Sequence, residues 1–414
     1  VASPSRPSTP NPSGPSGQKY VADPSAVSPR VDSSIYLDHH ATTPLDERVL
    51  EAMLPFLRDD FGNAASHTHA YGWRAEAAVD LARERLADLL GAESPAEIVF
   101  TSGATESNNL AILGLADACA EPGHLITAVT EHPSVLDPCR ALVRRGWRLT
   151  ELDVDVDGLV NTNDLAAAIC PETRLVSVMA ANNEIGVLQP LTEIASLCGE
   201  SGIAFHTDAA QAAGKVEVDA VTQGLDLISV SAHKMYGPKG IGLLRVRKRG
   251  RPRLRLEPRQ YGGGHEGGLR SGTLPVASIV GFARAFELCA LEAEAESARL
   301  IGLRRVLHES LSEAFPGRVK LNGHALQRLP GNLNLSFEGV DGDRLLADLG
   351  GLAVSSGSAC SSAKPEPSHV LLALGHSQAL ARGSLRFGLG RGNTLGEIGE
   401  AVERVLNALR NQLG

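Results

Sequence analysis

One cysteine stands among serines, alanines and a glycine in SSGSACSSAK, residues 355–364, with neither an apolar face nor a second thiol to explain it. Cys360 is therefore set apart as a candidate for chemistry. The other five cysteines, Cys119, Cys139, Cys170, Cys198 and Cys289, fall at helical spacing to apolar neighbours and are expected in the core. A second candidate is Lys234, which follows Ser231 and His233 at the end of the apolar run LDLISVS and precedes a Gly/Pro turn. An ordinary lysine has a pKa of about 10.4 and needs burial beside other positive groups to act as an amine nucleophile. Left exposed, it is only a solvated loop residue. Asp208 ends the run GIAFHT, where its carboxylate could instead cap the following helix. The stretch SGATESNN at 102–109 offers a glycine turn into a helix, which aims free N–H groups and a positive dipole end at an anion such as a phosphate. Its plain alternative is an N-cap by Ser102 or Thr105 with Glu106 in the first turn. Taken together, an imine-forming lysine, a carboxylate for a pyridinium nitrogen and a phosphate cup match the needs of pyridoxal 5'-phosphate.

These residues need a scaffold that brings distant chain ends together. From about residue 35 short β-rich runs alternate with helical patterns, the signature of βαβ units and a mostly parallel sheet. Strands are predicted at EIVFT (97–101), HLITAV (124–129), RLVSVM (174–179), GIAFHT (202–207) and LDLISVS (225–231). Four of the five run directly into the polar stretches SGATESNN, TEH, DAAQ and AHKMYGPKG. Ligands of open α/β sheets sit outside the carboxyl ends of the strands, so one pocket should collect these tips. A helix is predicted over 73–90, where Ala75, Val79, Ala82 and Leu86 share a face, and a long amphipathic stretch over 278–313 should lead into a smaller C-terminal domain.

The bulk properties narrow the functional class. The chain of 414 residues has a formal net charge of -9, which offers no basic face to a phosphate backbone, so nucleic acid is not an expected partner. No apolar run reaches the ~18 residues needed to span a bilayer. Six cysteines without a CxxC pair point to reduced thiols, and the protein is read as soluble and cytoplasmic. Residues 1–30 hold seven prolines and seven serines, a composition that cannot form a core. Only Arg6 and Arg30 there give weak support to organelle targeting.

The motifs YLDHHATTP, FTSGATESNN, TEH, NNEIG, HTDAAQ, SAHKMYGPKGIG, GGGHEGGLRSGT, SSGSACSSAKPEPSHVL and LRFGLGR, in that order over about 35–392, resemble those of the NifS/IscS-type cysteine desulfurases. That resemblance implies a pyridoxal-phosphate enzyme of the class V aminotransferase group with the aspartate aminotransferase-like α/β fold (fold type I), working as a homodimer. Residues 1–32 lie outside that pattern and are expected, from their Pro/Ser-rich composition, as a disordered tail. The resemblance implies a large cofactor-binding domain over 46–292 and a small α+β domain from 33–45 with 293–414 that carries the cysteine loop. It further implies that Lys234 holds the cofactor through a Schiff base, Asp208 pairs with the pyridine nitrogen and His132 stacks on the ring. Gln211 would reach the phenolic oxygen with Asn183 nearby, and Ala104, Thr105, Ser231 and His233 would bind the phosphate. Thr273 would reach the phosphate in the neighbouring subunit, and Arg386 would clamp the substrate carboxylate. A glycine- and serine-rich segment lets Cys360 approach the substrate, L-cysteine, and take its sulfur as a persulfide. L-alanine is released, and the sulfur goes on to acceptor proteins such as an iron–sulfur scaffold or to cofactor and tRNA pathways.

Two rival functions share this pattern. Selenocysteine lyase has the same fold and cofactor, but SSGSACSSAKPEPSHVL resembles the long-loop desulfurases. A non-catalytic sulfur-relay or scaffold subunit would have little use for intact Lys234, Asp208 and Cys360. Gly262, Gly264 and Gly267 spell GxGxxG, yet lack the strand before and helix after that a dinucleotide site requires. His39, His40, His67 and His69 show no metal-ligand spacing, and no metal is expected. Asn334 fits a glycosylation pattern that has no meaning inside a cell.

Overall fold

A computed structural model describes residues 34–250, 254–356 and 367–414. The tail expected over 1–32 and the catalytic candidate Cys360 lie outside the described residues. The strands are β1 (Ile35–Tyr36), β2 (Ile98–Thr101), β3 (His124–Ala128), β4 (Arg148–Leu152), β5 (Thr173–Ser177), β6 (Ala204–Asp208) and β7 (Leu227–Ser231). They continue with β8 (Gly242–Val246), β9 (Val319–Leu321), β10 (Asn332–Phe337), β11 (Leu352–Ala353), β12 (Ser355–Ser356) and β13 (Ser384–Gly388). The helices are α1 (Glu47–Arg58), α2 (Ala70–Leu89), α3 (Ala104–Asp117), α4 (Pro133–Val143), α5 (Thr162–Ala168) and α6 (Leu191–Ser201). After them come α7 (Val276–Ala314), α8 (Gly342–Asp348), α9 (His369–Ala373), α10 (Gln378–Arg382) and α11 (Leu395–Leu413).

A seven-stranded sheet has the order β2-β8-β7-β6-β5-β3-β4. Its β4-β3-β5-β6-β7 portion is parallel, and β8 runs antiparallel to both neighbours. The inner strands β3, β6 and β7 are buried on both faces, which is why their β-rich stretches are not confined to one alternating face and were visible in the sequence. Each predicted strand is present to within a few residues. The sequence reading missed β4, an edge strand whose RLTEL is largely half-exposed, and β8, which returns against β7.

The second sheet, antiparallel β12-β13-β10-β9, has its own apolar cluster of Leu333, Leu335, Leu385, Phe387 and the inner faces of α8 and α11. The 39-residue α7, roughly 58 Å long at ~1.5 Å per residue, joins the two cores. Its first half gives Ile279, Phe282, Phe286 and Cys289 to the large core, and its second half gives Leu300, Leu303, Leu307 and Leu311 to the other. Full burial of each such side chain stabilises by about 1.5–3 kcal/mol. A capping box of Thr394 and Glu397 starts α11 by satisfying donors that the first turn leaves open.

Cys139, Cys198 and Cys289 are buried as expected. Cys119 and Cys170 are only half-buried, because α3 and α5 end before reaching them. Among the described residues no helix is long and apolar enough to cross a membrane.

Candidate active site

The carboxyl ends of β2, β5, β6 and β7, and the turn after β3, open on one cavity of about 660 Å³. It is lined by Ala104, Thr105, His132, Asn183, Asp208, Gln211, Ser231, His233, Lys234 and Arg386. Every predicted site residue within the described part therefore meets there except Thr273, which is exposed and outside the lining.

At one end β2 turns sharply into α3. Gly103 has φ 153°, a conformation that favours glycine, and no side chain caps the helix. The first helical bond runs from Ser107 N–H to Gly103 O, so the amides of Ala104, Thr105 and Glu106 precede the ladder. The turn is also packed tightly against β8, since a Cβ on Gly242 would lie 2.6 Å from Gly103 Cα. Ser231 and His233 complete this end. Burial and the nearby positive charge of Lys234 push the His233 imidazole down to about 4, so it is neutral at pH 7. Glu106 would be a poor neighbour for a phosphate, but its charge is already engaged. It accepts from Ser102 N–H at 2.6 Å and from Arg270 at 2.9 Å; these partners outweigh its burial and hold the carboxyl below its ordinary range.

In the middle, Asp208 is 7% exposed and held on both oxygens: Asn108 Nδ2 donates to Oδ2 at 2.7 Å and Ala210 N–H to Oδ1 at 2.9 Å. Behind it His206 is fully buried between Ser177 Oγ and Ser229 Oγ, and burial pushes its pKa down to about 4. His132 caps α4, its Nδ1 taking the Ser134 amide at 3.1 Å. Burial lowers its pKa while Asp208 pulls the other way, so the ring is neutral at pH 7 and able to accept a proton. Lys234 Nζ donates to the carbonyls of His40 and Ala41, each at 2.7 Å. Gln211 turns its amide to His40, with Nε2 donating to His40 O at 2.9 Å and Oε1 accepting from Lys215 at 3.0 Å.

At the other end Arg386 is only 5% exposed on β13. Its Nη1 donates to Asn183 O at 3.1 Å, its Nη2 to Asp38 Oδ1 at 2.8 Å and to Ser355 Oγ at 3.1 Å, while its buried Nε has no protein partner. A guanidinium with an unused donor beside a polar cavity suits a carboxylate. Sequence reasoning did not single out Asp38, Asn108, Ser134, His40 or Ser355 as site residues. All five sit in or beside the quoted motifs YLDHHATTP, SGATESNN, TEH and SSGSACSSAKPEPSHVL, and that adjacency was the signal available.

The residues present fit pyridoxal phosphate. The uncapped start of α3 with Ser231 and His233 suits the phosphate, Asp208 suits a protonated ring nitrogen, and Lys234 lies on the same cavity wall. The GxGxxG glycines instead form a loop with a short 3-10 turn at Glu266–Gly268.

The model of the aminotransferase class-V family matches residues 35–400. A cysteine desulfurase IscS of Anaeromyxobacter sp. (strain Fw109-5) is 52% identical over 377 residues, 91% of this chain and 92% of its own. Among solved structures, a NifS-like protein matches with a TM-score of 0.84 at 34% identity, covering 91% of this chain and 100% of that one. SspA in complex with cysteine matches with a TM-score of 0.76 at 40% identity, covering 86% and 98%. With its strand-tip cavity and these relatives, the chain belongs to the class-V aminotransferases, pyridoxal-phosphate enzymes, and within them to the NifS/IscS-type cysteine desulfurases.

Proposed function

We infer that the protein takes the sulfur from L-cysteine, releases L-alanine and carries the sulfur as a persulfide on Cys360. The observation that carries this reading is the gathering of Lys234, Asp208, His132 and Arg386 on one cavity with an uncapped helix start. When bound, the cofactor supplies an electron sink for the bond broken at the substrate Cα. Asp208, fixed by Asn108 and Ala210, keeps a negative charge where the ring nitrogen needs one. Lys234 would hold the cofactor, and its amine would be the base that carries the proton from Cα. Arg386 orients the substrate carboxylate. The Cys360 thiolate attacks the substrate sulfur and the C–S bond breaks toward carbon. A proton then completes the alanine methyl group, so cysteine and one enzyme thiol give alanine and one enzyme persulfide. His132, neutral and beside Asp208, is suited to take the thiol proton.

The homodimer would bring Thr273, exposed in the single chain, to the phosphate of the partner's site. Persulfide sulfur then passes to an acceptor such as an iron–sulfur scaffold protein, in the cytoplasm. Purified protein mixed with L-cysteine should release alanine and add one sulfur to the mass of the peptide holding residue 360. Cys360→Ala should keep the cofactor absorbance and lose sulfur transfer. Full turnover in that variant would refute the assignment, and faster turnover of selenocysteine than cysteine would point to a selenocysteine lyase.

A further inference from the structure

The described residues stop at Ser356 and resume at Pro367, with Cys360 in the interval between them. The nearby serine on one side connects through Arg386 to Asn183, and the nearby serine on the other side bonds its neighbour Glu184. Before the segment, Arg386 bridges Ser355 Oγ and the Asn183 carbonyl, at 3.1 Å each. After it, Ser368 Oγ donates to Glu184 Oε2 at 2.5 Å while accepting the Leu371 amide that begins α9.

Glu184 is itself held firmly. Its N–H donates to Asn182 Oδ1 at 2.8 Å, and its carbonyl accepts from Asn332 and Asn334 of β10, at 3.1 Å each. The loop between β5 and α6 is thereby locked to the antiparallel sheet. A carboxyl that is only 7% exposed is costly to bury, and burial pushes its pKa up to about 7. Packing alone would be served by an uncharged side chain. What a carboxyl adds here is a strong acceptor for the hydroxyl of Ser368, which follows Cys360 by eight positions in the chain.

We propose that Glu184 is a positioning residue for sulfur transfer: through Ser368 it fixes the far flank of the segment carrying Cys360 to the loop that carries Asn183. This rests on the desulfurase reading above. Misplacing a reacting group by about 1 Å can cost on the order of 100-fold in rate, so loss of one of two anchors should be felt mainly in turnover.

The test compares wild-type holoenzyme with Glu184→Ala, Glu184→Gln and Ser368→Ala. Alanine release gives kcat and KM, the visible band reports the cofactor, and amide hydrogen exchange follows α9. Glu184→Ala and Ser368→Ala should each lower kcat about 10-fold, keep KM within about twofold, leave the band unchanged and speed exchange at the start of α9. Glu184→Gln keeps an acceptor for Ser368 and should return kcat to within about threefold of wild type. An unchanged kcat in Glu184→Ala overturns the proposal, and so does a loss in which KM and the band move as much as kcat. If wild type releases no alanine, the desulfurase reading fails by itself, and unchanged α9 exchange in Glu184→Ala then removes the tether as well.

Discussion

The two ends of the cavity are built differently. The cofactor end is made from strand tips of a sheet buried on both faces, so Asp208, Ser231 and the β2–α3 turn take their places from a ladder of backbone bonds. The substrate end is assembled by side chains: Arg386 on β13 reaches Asp38, Asn183 and Ser355, which lie far apart in the chain. Backbone-set positions survive most substitutions of their neighbours. Positions set by side-chain networks fail when one member is removed, because buried polar groups lose their partners. The cofactor end is thus a fixed cradle, and the substrate end is where reach and specificity are adjusted.

The sharpest way to break this contrast is to remove the chemistry from the rigid end while leaving the cradle. Lys234→Ala should reduce alanine formation by at least about 10³-fold and abolish the Schiff-base absorbance, with little change in thermal stability. A wild-type visible band in that variant would deny Lys234 its role. A fall in stability as large as a core deletion would show that the cradle depends on the lysine.

The next largest effect tests the side-chain end through pH. Glu184 has a folded-state pKa of about 7 against an unfolded value of 4.5, so the folded state keeps a proton that the unfolded chain gives up. Its contribution to stability is therefore greatest below pH ~4.5 and is lost as pH rises toward ~7, by up to roughly 3 kcal/mol. Denaturant melts of wild type and Glu184→Gln over that range should diverge, with the variant losing less stability. Parallel curves would mean that the carboxyl titrates normally.

Arg386→Lys keeps the charge but loses the planar fork. It should cut kcat/KM for cysteine by roughly 30–100-fold, mostly as a higher KM, and weaken the hold on Ser355. A change confined to kcat would move Arg386 from substrate binding to control of the cysteine segment. The smallest effect returns to the rigid end. Asn108→Ala removes the donor to Asp208 Oδ2 and should lower stability by about 1–3 kcal/mol at an unchanged m value, with the fold and cofactor retained. Cofactor loss in that variant would show that the cradle also relies on a single side chain.

The sequence by itself determined the parallel sheet, because β3, β6 and β7 are buried on both faces, β5 is buried apart from Arg174, and all four leave short β-rich runs ending in polar tips. It also marked Lys234, Asp208 and the SGATESNN turn as partners for one cofactor, since residue type and position at strand ends carry that information locally. It could not show that Asn108 and not solvent holds Asp208, that Gln211 turns to His40 and Lys215, or that Glu184 reaches Ser368. Those contacts join residues up to 184 positions apart. A hydrogen bond of that span leaves no periodicity behind, and only the packing of the antiparallel sheet against the β5–α6 loop brings its two atoms within reach.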